Sequence, residues 1–162
     1  MMTTSLASLS VAVGQALAAR GWMLATAESC TGGWIAEAVT ATAGSSVWFD
    51  RGFVTYSNAA KVDMLGVSPL TLATHGAVSE ATAGEMAAGA LTHSRAQVAV
   101  AVSGVAGPGG GSPGKPVGMV CIAWAVAGEA PRVATLHFAG DREAVRLQAV
   151  EHALRGLLAI AG

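Results

Sequence analysis

The chain has 162 residues, 52% of them hydrophobic and only 12% charged, with a formal net charge of -1. That length suits a single domain burying roughly two-thirds of its unfolded surface, and the charged share is about half the usual one. Near-neutral charge gives no electrostatic case for nucleic acid or an anionic membrane as partner, while the surplus of small apolar residues points to a very full core or, the favoured expectation, to homo-oligomerisation.

In chain order, the N-terminal segment lacks the positive n-region of a signal peptide, its first basic residue being Arg20. Leu6, Leu9, Val13 and Leu17 instead mark one face of a helix over 4–20, stopped by Gly21. Residues 23–27 make a short apolar strand, and a helix starting near Ser29 or Thr31 continues to Thr40. The run FVTYS at 53–57 has strand composition. Asn58 is a good N-cap for a short helix over 59–65, closed by Gly66. Pro69 opens another short helix, Ser79 caps a longer one to about His93, and 98–103 is a fully apolar strand. A Gly/Pro-rich loop, VAGPGGGSPGKP at 105–116, precedes strands at 117–126 and 133–138 and a last helix over 141–159. Helices alternating with strands and then a strand pair predict a three-layer α/β/α single domain with a mixed β-sheet, spanning 1–162.

No apolar run reaches the roughly 18 residues of a membrane span. Two cysteines, Cys30 and Cys121, are too few for a disulfide framework and fit a reduced, cytoplasmic protein. His75, His93, His137 and His152 have no ligand spacing, so no metal is expected. The chain also lacks a G-x-S-x-G elbow and an S-x-x-K motif.

Four stretches sit where the chain changes direction, and function concentrates on such loops. The first, TAESCTGGW at 26–34, sets Ser29 and Cys30 side by side before Thr31, Gly32 and Gly33. At a helix N-terminus, free backbone N–H groups and the dipole favour a phosphate or an oxyanion, and the glycines admit close approach of a ligand. The same residues also read as an ordinary N-cap and turn, and sequence does not choose between serine and cysteine as nucleophile. The second stretch, Tyr56 to Lys61, holds one of only two lysines. Placed in the first helical turn, Lys61 meets a dipole that disfavours its charged form, as a lysine base requires; a solvated lysine is the plainer reading.

The third stretch starts at Ser103, Gly104 and Gly107 and is the glycine loop. It lacks the P-loop ending and precedes a strand, so the dinucleotide and P-loop fingerprints fail, but it can wall a pocket or bind phosphate through its amides. The fourth is Gly140-Asp141-Arg142 with Arg146 one turn on, a pair apt for phosphate or carboxylate, or for a solvated helix face.

Together, AESCTGGWIAEAVT, AGSSVWFDRGFVTYSN, AKVDMLGV, HGAVSEATAGEMAAGAL, AVSGVAGPGGG, GKPVGMV and FAGDREAVR resemble the C-terminal domain family of CinA. The resemblance is to its stand-alone nicotinamide-nucleotide amidohydrolase type, since the amino-terminal domain of full-length members has no counterpart here. It implies hydrolysis of the carboxamide of nicotinamide mononucleotide to nicotinate mononucleotide and ammonia, without a cofactor. It also implies Ser29 as nucleophile, with Lys61 as its base and Tyr56 as orienting residue. Cys30, Thr31, Gly32, Gly33, Ser103, Gly104, Gly107, Arg142 and Arg146 are the expected substrate-binding set. Two departures from the family pattern stand out: Ala59 replaces a common glutamate, and Met119 a frequent threonine.

Overall fold

The computed structural model describes residues 2–162, with side chains from Leu6 onward. Six α-helices and five strands follow in the order α1 (Met2–Arg20), β1 (Leu24–Glu28), α2 (Trp34–Thr40), β2 (Phe49–Val54), α3 (Asn58–Leu65), α4 (Pro69–His75), α5 (Glu80–Thr92), β3 (Val98–Gly104), β4 (Met119–Val126), β5 (Arg132–His137) and α6 (Arg142–Ala161). The strands form one mixed sheet ordered β2-β1-β3-β4-β5. β1 runs parallel to both β2 and β3, whereas β3/β4 and β4/β5 are antiparallel. The expected three-layer α/β/α architecture is therefore what forms.

Why the sheet sits between two layers is legible in β3, VAVAVSG, which is buried on both faces. Its alternation is one of size rather than polarity, as a doubly covered strand demands. Val98, Val100 and Val102 join Val120, Ile122 and Trp124 in a core packed by Val13 and Leu17 of α1, Ile35 and Val39 of α2, and Leu154 and Leu157 of α6. On the other face Ala25, Ala27, Ala99, Ala101, Ala123 and Ala125 meet Ala83, Met86, Ala87 and Ala90 of α5. The small side chains let α5 lie close to the sheet. α3 in turn lies against α5 so tightly that a Cβ on Gly89 would come within 2.0 Å of the Leu65 carbonyl oxygen.

Local signals set the helix ends. Ser57, Ser68, Ser79 and Asp141 each cap a helix by accepting a backbone N–H with the side chain. The structure departs from the sequence reading in two places that matter. First, α2 starts at Trp34, not near Ser29, because Gly32 (φ 60) and Gly33 (φ 105) turn the chain left-handed before the helix begins. Second, β2 ends at Val54, so Thr55 and Tyr56 leave the sheet, and Ser57 rather than Asn58 caps α3. No helix among the described residues is long and apolar enough to cross a membrane.

Candidate active site

β1 lies between β2 and β3, and the chain visits those two neighbours in succession, so the connections leave β1 and β3 in different directions. Crevices at the carboxyl ends of such strands are where open α/β sheets bind ligands. Here a cavity of about 330 Å³ opens at that point, lined by Ser29, Lys61 and Ser103 among others. That volume lies at the lower end of the range for small-molecule sites.

Ser29 follows β1 directly, and its N–H donates to the Val102 carbonyl at 3.0 Å, so the turn starts from a fixed point on β3. Lys61 reaches the same place from the first half of α3. It is 1% exposed, and its Nζ lies 2.9 Å from Ser29 Oγ, 2.8 Å from the Thr55 carbonyl and 3.1 Å from the Tyr56 carbonyl. Burial is the main cause that pushes the Lys61 pKa down. The first-turn position anticipated from sequence is only where the side chain starts; burial is what favours the neutral amine.

The count of donors and acceptors explains the arrangement. A neutral amine has two N–H donors and one lone pair. The Thr55 and Tyr56 carbonyls take the donors, leaving the lone pair for the Ser29 hydroxyl. When Lys61 is charged it has three donors and no lone pair, and the Ser29 proton turns to the Tyr56 carbonyl at 3.4 Å instead. Both carbonyls are available because β2 ends before them.

Tyr56 therefore meets Ser29 and Lys61 through its backbone. Its side chain is 64% exposed, no hydrogen bond joins its phenol to either residue, and the residue borders the cavity. Cys30 also borders the cavity, but burial pushes its thiol up to about 11. A raised value favours the thiol over the thiolate, the form that attacks, and so weighs against it as nucleophile.

Of the remaining expected residues, Ser103, Gly104, Gly107 and Arg142 line the cavity as anticipated. Ser103 is 1% exposed. Arg142 donates Nη1 to the Gly107 carbonyl at 2.7 Å, fastening the start of the glycine loop to α6. Thr31, Gly32, Gly33 and Arg146 are not among the lining residues. Thr31 is fully buried with its hydroxyl on Glu28, and the two glycines serve the left-handed turn. Arg146 does not extend its guanidinium to the cavity; Nε and Nη2 donate to the Cys30 and Thr31 carbonyls. At the α2 N-terminus the Ile35 and Ala36 N–H groups already donate to the Glu28 carboxylate, so these two are not free for an anion.

Sequence reasoning missed Glu28, Ala77 and Val78. The two latter wall the cavity from the segment between α4 and α5, where nothing but topology brings them. Glu28 carried a signal, an acidic residue closing an otherwise apolar strand. Ala59 is exposed on α3, so the departure there does not touch how Lys61 is held.

A sheet-end cavity with a buried lysine on a serine defines a class: an α/β protein with a serine–lysine pair at the carboxyl end of its parallel strands. The chain belongs to the CinA C-terminal domain family, whose model matches residues 6–161. It is 57% identical over 157 residues to the nicotinamide-nucleotide amidohydrolase PncC of Escherichia coli, covering 97% of this chain and 95% of that protein. A CinA-like protein of Syntrophobacter fumaroxidans is 53% identical over 142 residues, which cover 88% of this chain but 33% of that longer protein. Among solved structures, the competence/damage inducible protein CihA of Agrobacterium tumefaciens superposes with a TM-score of 0.95 at 48% identity, over 98% of this chain and 96% of that one.

Proposed function

We propose that the protein hydrolyses the carboxamide of nicotinamide mononucleotide, releasing ammonia and nicotinate mononucleotide, with Ser29 as nucleophile and Lys61 as its base. The observation that carries this reading is the Lys61 Nζ–Ser29 Oγ contact of 2.9 Å, made by a lysine whose other acceptors are both backbone carbonyls. The name of the Escherichia coli relative supports the substrate class.

Neutral Lys61 takes the Ser29 proton as Oγ bonds to the carboxamide carbon. The oxygen that gains negative charge is held by amide N–H donors of the turn after Ser29, each worth about 3 kcal/mol in the transition state. The C–N bond then breaks, Lys61 returns the proton to the departing nitrogen, and ammonia leaves an ester on Ser29. Water next gives a proton to Lys61 as its oxygen attacks the ester carbon. Ser29 Oγ departs with that proton, and the acid is released. Ser103 and the glycine loop shape the pocket, and Arg142, whose guanidinium is fixed on the loop by one donor, has others left for the 5′-phosphate.

The test is ammonia release from nicotinamide mononucleotide. Ser29→Ala should reduce the rate by on the order of 10⁴-fold or more, as removal of a catalytic nucleophile does; equal rates for the two proteins would sink the mechanism.

A further inference from the structure

The turn between β1 and α2 carries the nucleophile, yet its residues belong to neither helix nor strand. Two side chains from different elements grip it. Glu28, the last residue of β1, is 1% exposed, and its carboxylate accepts from Thr31 Oγ1 at 2.6 Å, Ile35 N at 2.8 Å and Ala36 N at 3.0 Å. Arg146 of α6 donates Nε to the Cys30 carbonyl at 3.1 Å and Nη2 to the Thr31 carbonyl at 3.2 Å, with its guanidinium carbon 5.4 Å from the centre of the Trp34 ring.

We infer that Glu28 and Arg146 are positioning residues for the acyl transfer, a two-armed clamp that fixes Ser29 Oγ against Lys61 and sets the direction of the turn's amide N–H groups. This rests on the Ser29 reading given above. A helix end needs one side-chain acceptor, and a serine or threonine suffices. Here a buried carboxylate spans the turn, from Thr31 to the second and third residues of α2, so the exit of the turn cannot drift from its entry. Arg146 acts on the peptide planes. A trans peptide points its C=O and N–H in opposite directions, so holding the Cys30 carbonyl fixes where Thr31 N–H points, while holding the Thr31 carbonyl keeps Gly32 N–H on the Ser29 carbonyl at 3.0 Å, which closes the turn on the nucleophile. A cation on the carbonyl also polarises the unit and makes its N–H a stronger donor. The two arms thus govern the geometry in which a displacement of about 1 Å costs on the order of 100-fold in rate.

The experiment compares wild type with Glu28→Gln, Arg146→Met and Arg146→Lys. Glu28→Gln keeps the shape but sets an amide against backbone donors; Arg146→Met keeps the stem over Trp34 but removes both hydrogen bonds. With nicotinamide mononucleotide, both should lower kcat by on the order of 100-fold, with KM nearly unchanged, and Arg146→Lys should recover part of the loss. A raised KM with kcat intact in Arg146→Met would make Arg146 a substrate ligand and overturn the clamp. Unchanged kcat with only a lower melting temperature would do the same.

The second readout is the rate at which a fluorophosphonate probe labels Ser29, followed by intact mass. It depends on the serine and its surroundings rather than on the carboxamide substrate. Slowed labelling in Glu28→Gln and Arg146→Met supports the clamp even where wild type fails to turn over the mononucleotide, a failure that sinks the substrate assignment alone. Labelling at wild-type rates in both variants overturns the clamp.

Discussion

Two loops leave the carboxyl ends of neighbouring strands and meet at one cavity, but they are built in opposite ways. The turn after β1 is five residues long, 29–33, and is held by β3, by Glu28 and by Arg146. The loop after β3 runs over 105–118; much of it is exposed, and side chains tie it at few points, Arg142 on Gly107 and Lys115 on the His75 carbonyl. Bond making tolerates little displacement, whereas a grip on a ligand tolerates much more. The comparison teaches where to look for each: chemistry on the over-determined turn, substrate recognition on the looser loop.

The largest effect that tests this contrast lies at the dyad. Lys61→Met should leave a trace of activity comparable to that of Ser29→Ala, since residues acting as one unit fail together. In wild type, kcat should rise with pH along one limb whose midpoint lies below the ordinary lysine range, because burial lowers the Lys61 pKa. Stability should move the same way. The unfolded chain keeps this proton to a higher pH than the folded protein, so the penalty of burying Lys61 is present at neutral pH. It is relieved as pH rises from the lowered folded value toward the ordinary one. A pH–rate limb that persists in Lys61→Met would assign it to another group.

On the loop side, Arg142→Met should raise KM for nicotinamide mononucleotide by roughly 10- to 100-fold, the worth of a charge-assisted hydrogen bond, and leave kcat within a few-fold. Isothermal titration of the product mononucleotide on Ser29→Ala gives the same comparison without turnover. A kcat loss at constant KM would move Arg142 to the chemical side of the contrast.

The smallest effect separates two glycines. Gly33→Ala forces alanine to φ 105 and sets its Cβ 3.4 Å from Val54, so melting should reveal a loss of about 1–3 kcal/mol. Gly114→Ala, in the open loop at ordinary φ and with nothing within 4 Å of a new Cβ, should stay within about 0.5 kcal/mol of wild type. Equal losses would mean that the loop is as firmly built as the turn.

Periodicity and turn residues were enough to read the layers, because β3 and β4 are continuous apolar runs and Ser79 caps α5 as its position suggested. Ser29 and Lys61 were legible as residue types at unusual places. What held them was not, since it consists of backbone carbonyls, of the neighbouring Glu28 carboxylate, which reaches forward over the turn to α2, and of the Arg146 guanidinium, distant in sequence. The Thr55 and Tyr56 carbonyls become acceptors only because β2 ends at Val54, one residue before them, and strand ends are poorly marked by composition. Arg146 shared a helix face with Arg142, which suggested one task for both; the packing of α6 against the turn divides them. The positive-φ glycines 32 and 33 looked like room for a ligand and are instead the reason that α2 begins late.

The alanine-lined face of the sheet has a consequence for the dyad. α5 rests on that face and α3 rests on α5 at Gly89, so the layer of single methyl groups fixes the height at which α3 carries Lys61 beside β1. It works as a shim. A larger side chain at Ala99 or Ala101 would lift both helices together and open the gap between Nζ and Oγ, far from any residue that touches substrate. A core position there answers to catalysis as well as to folding.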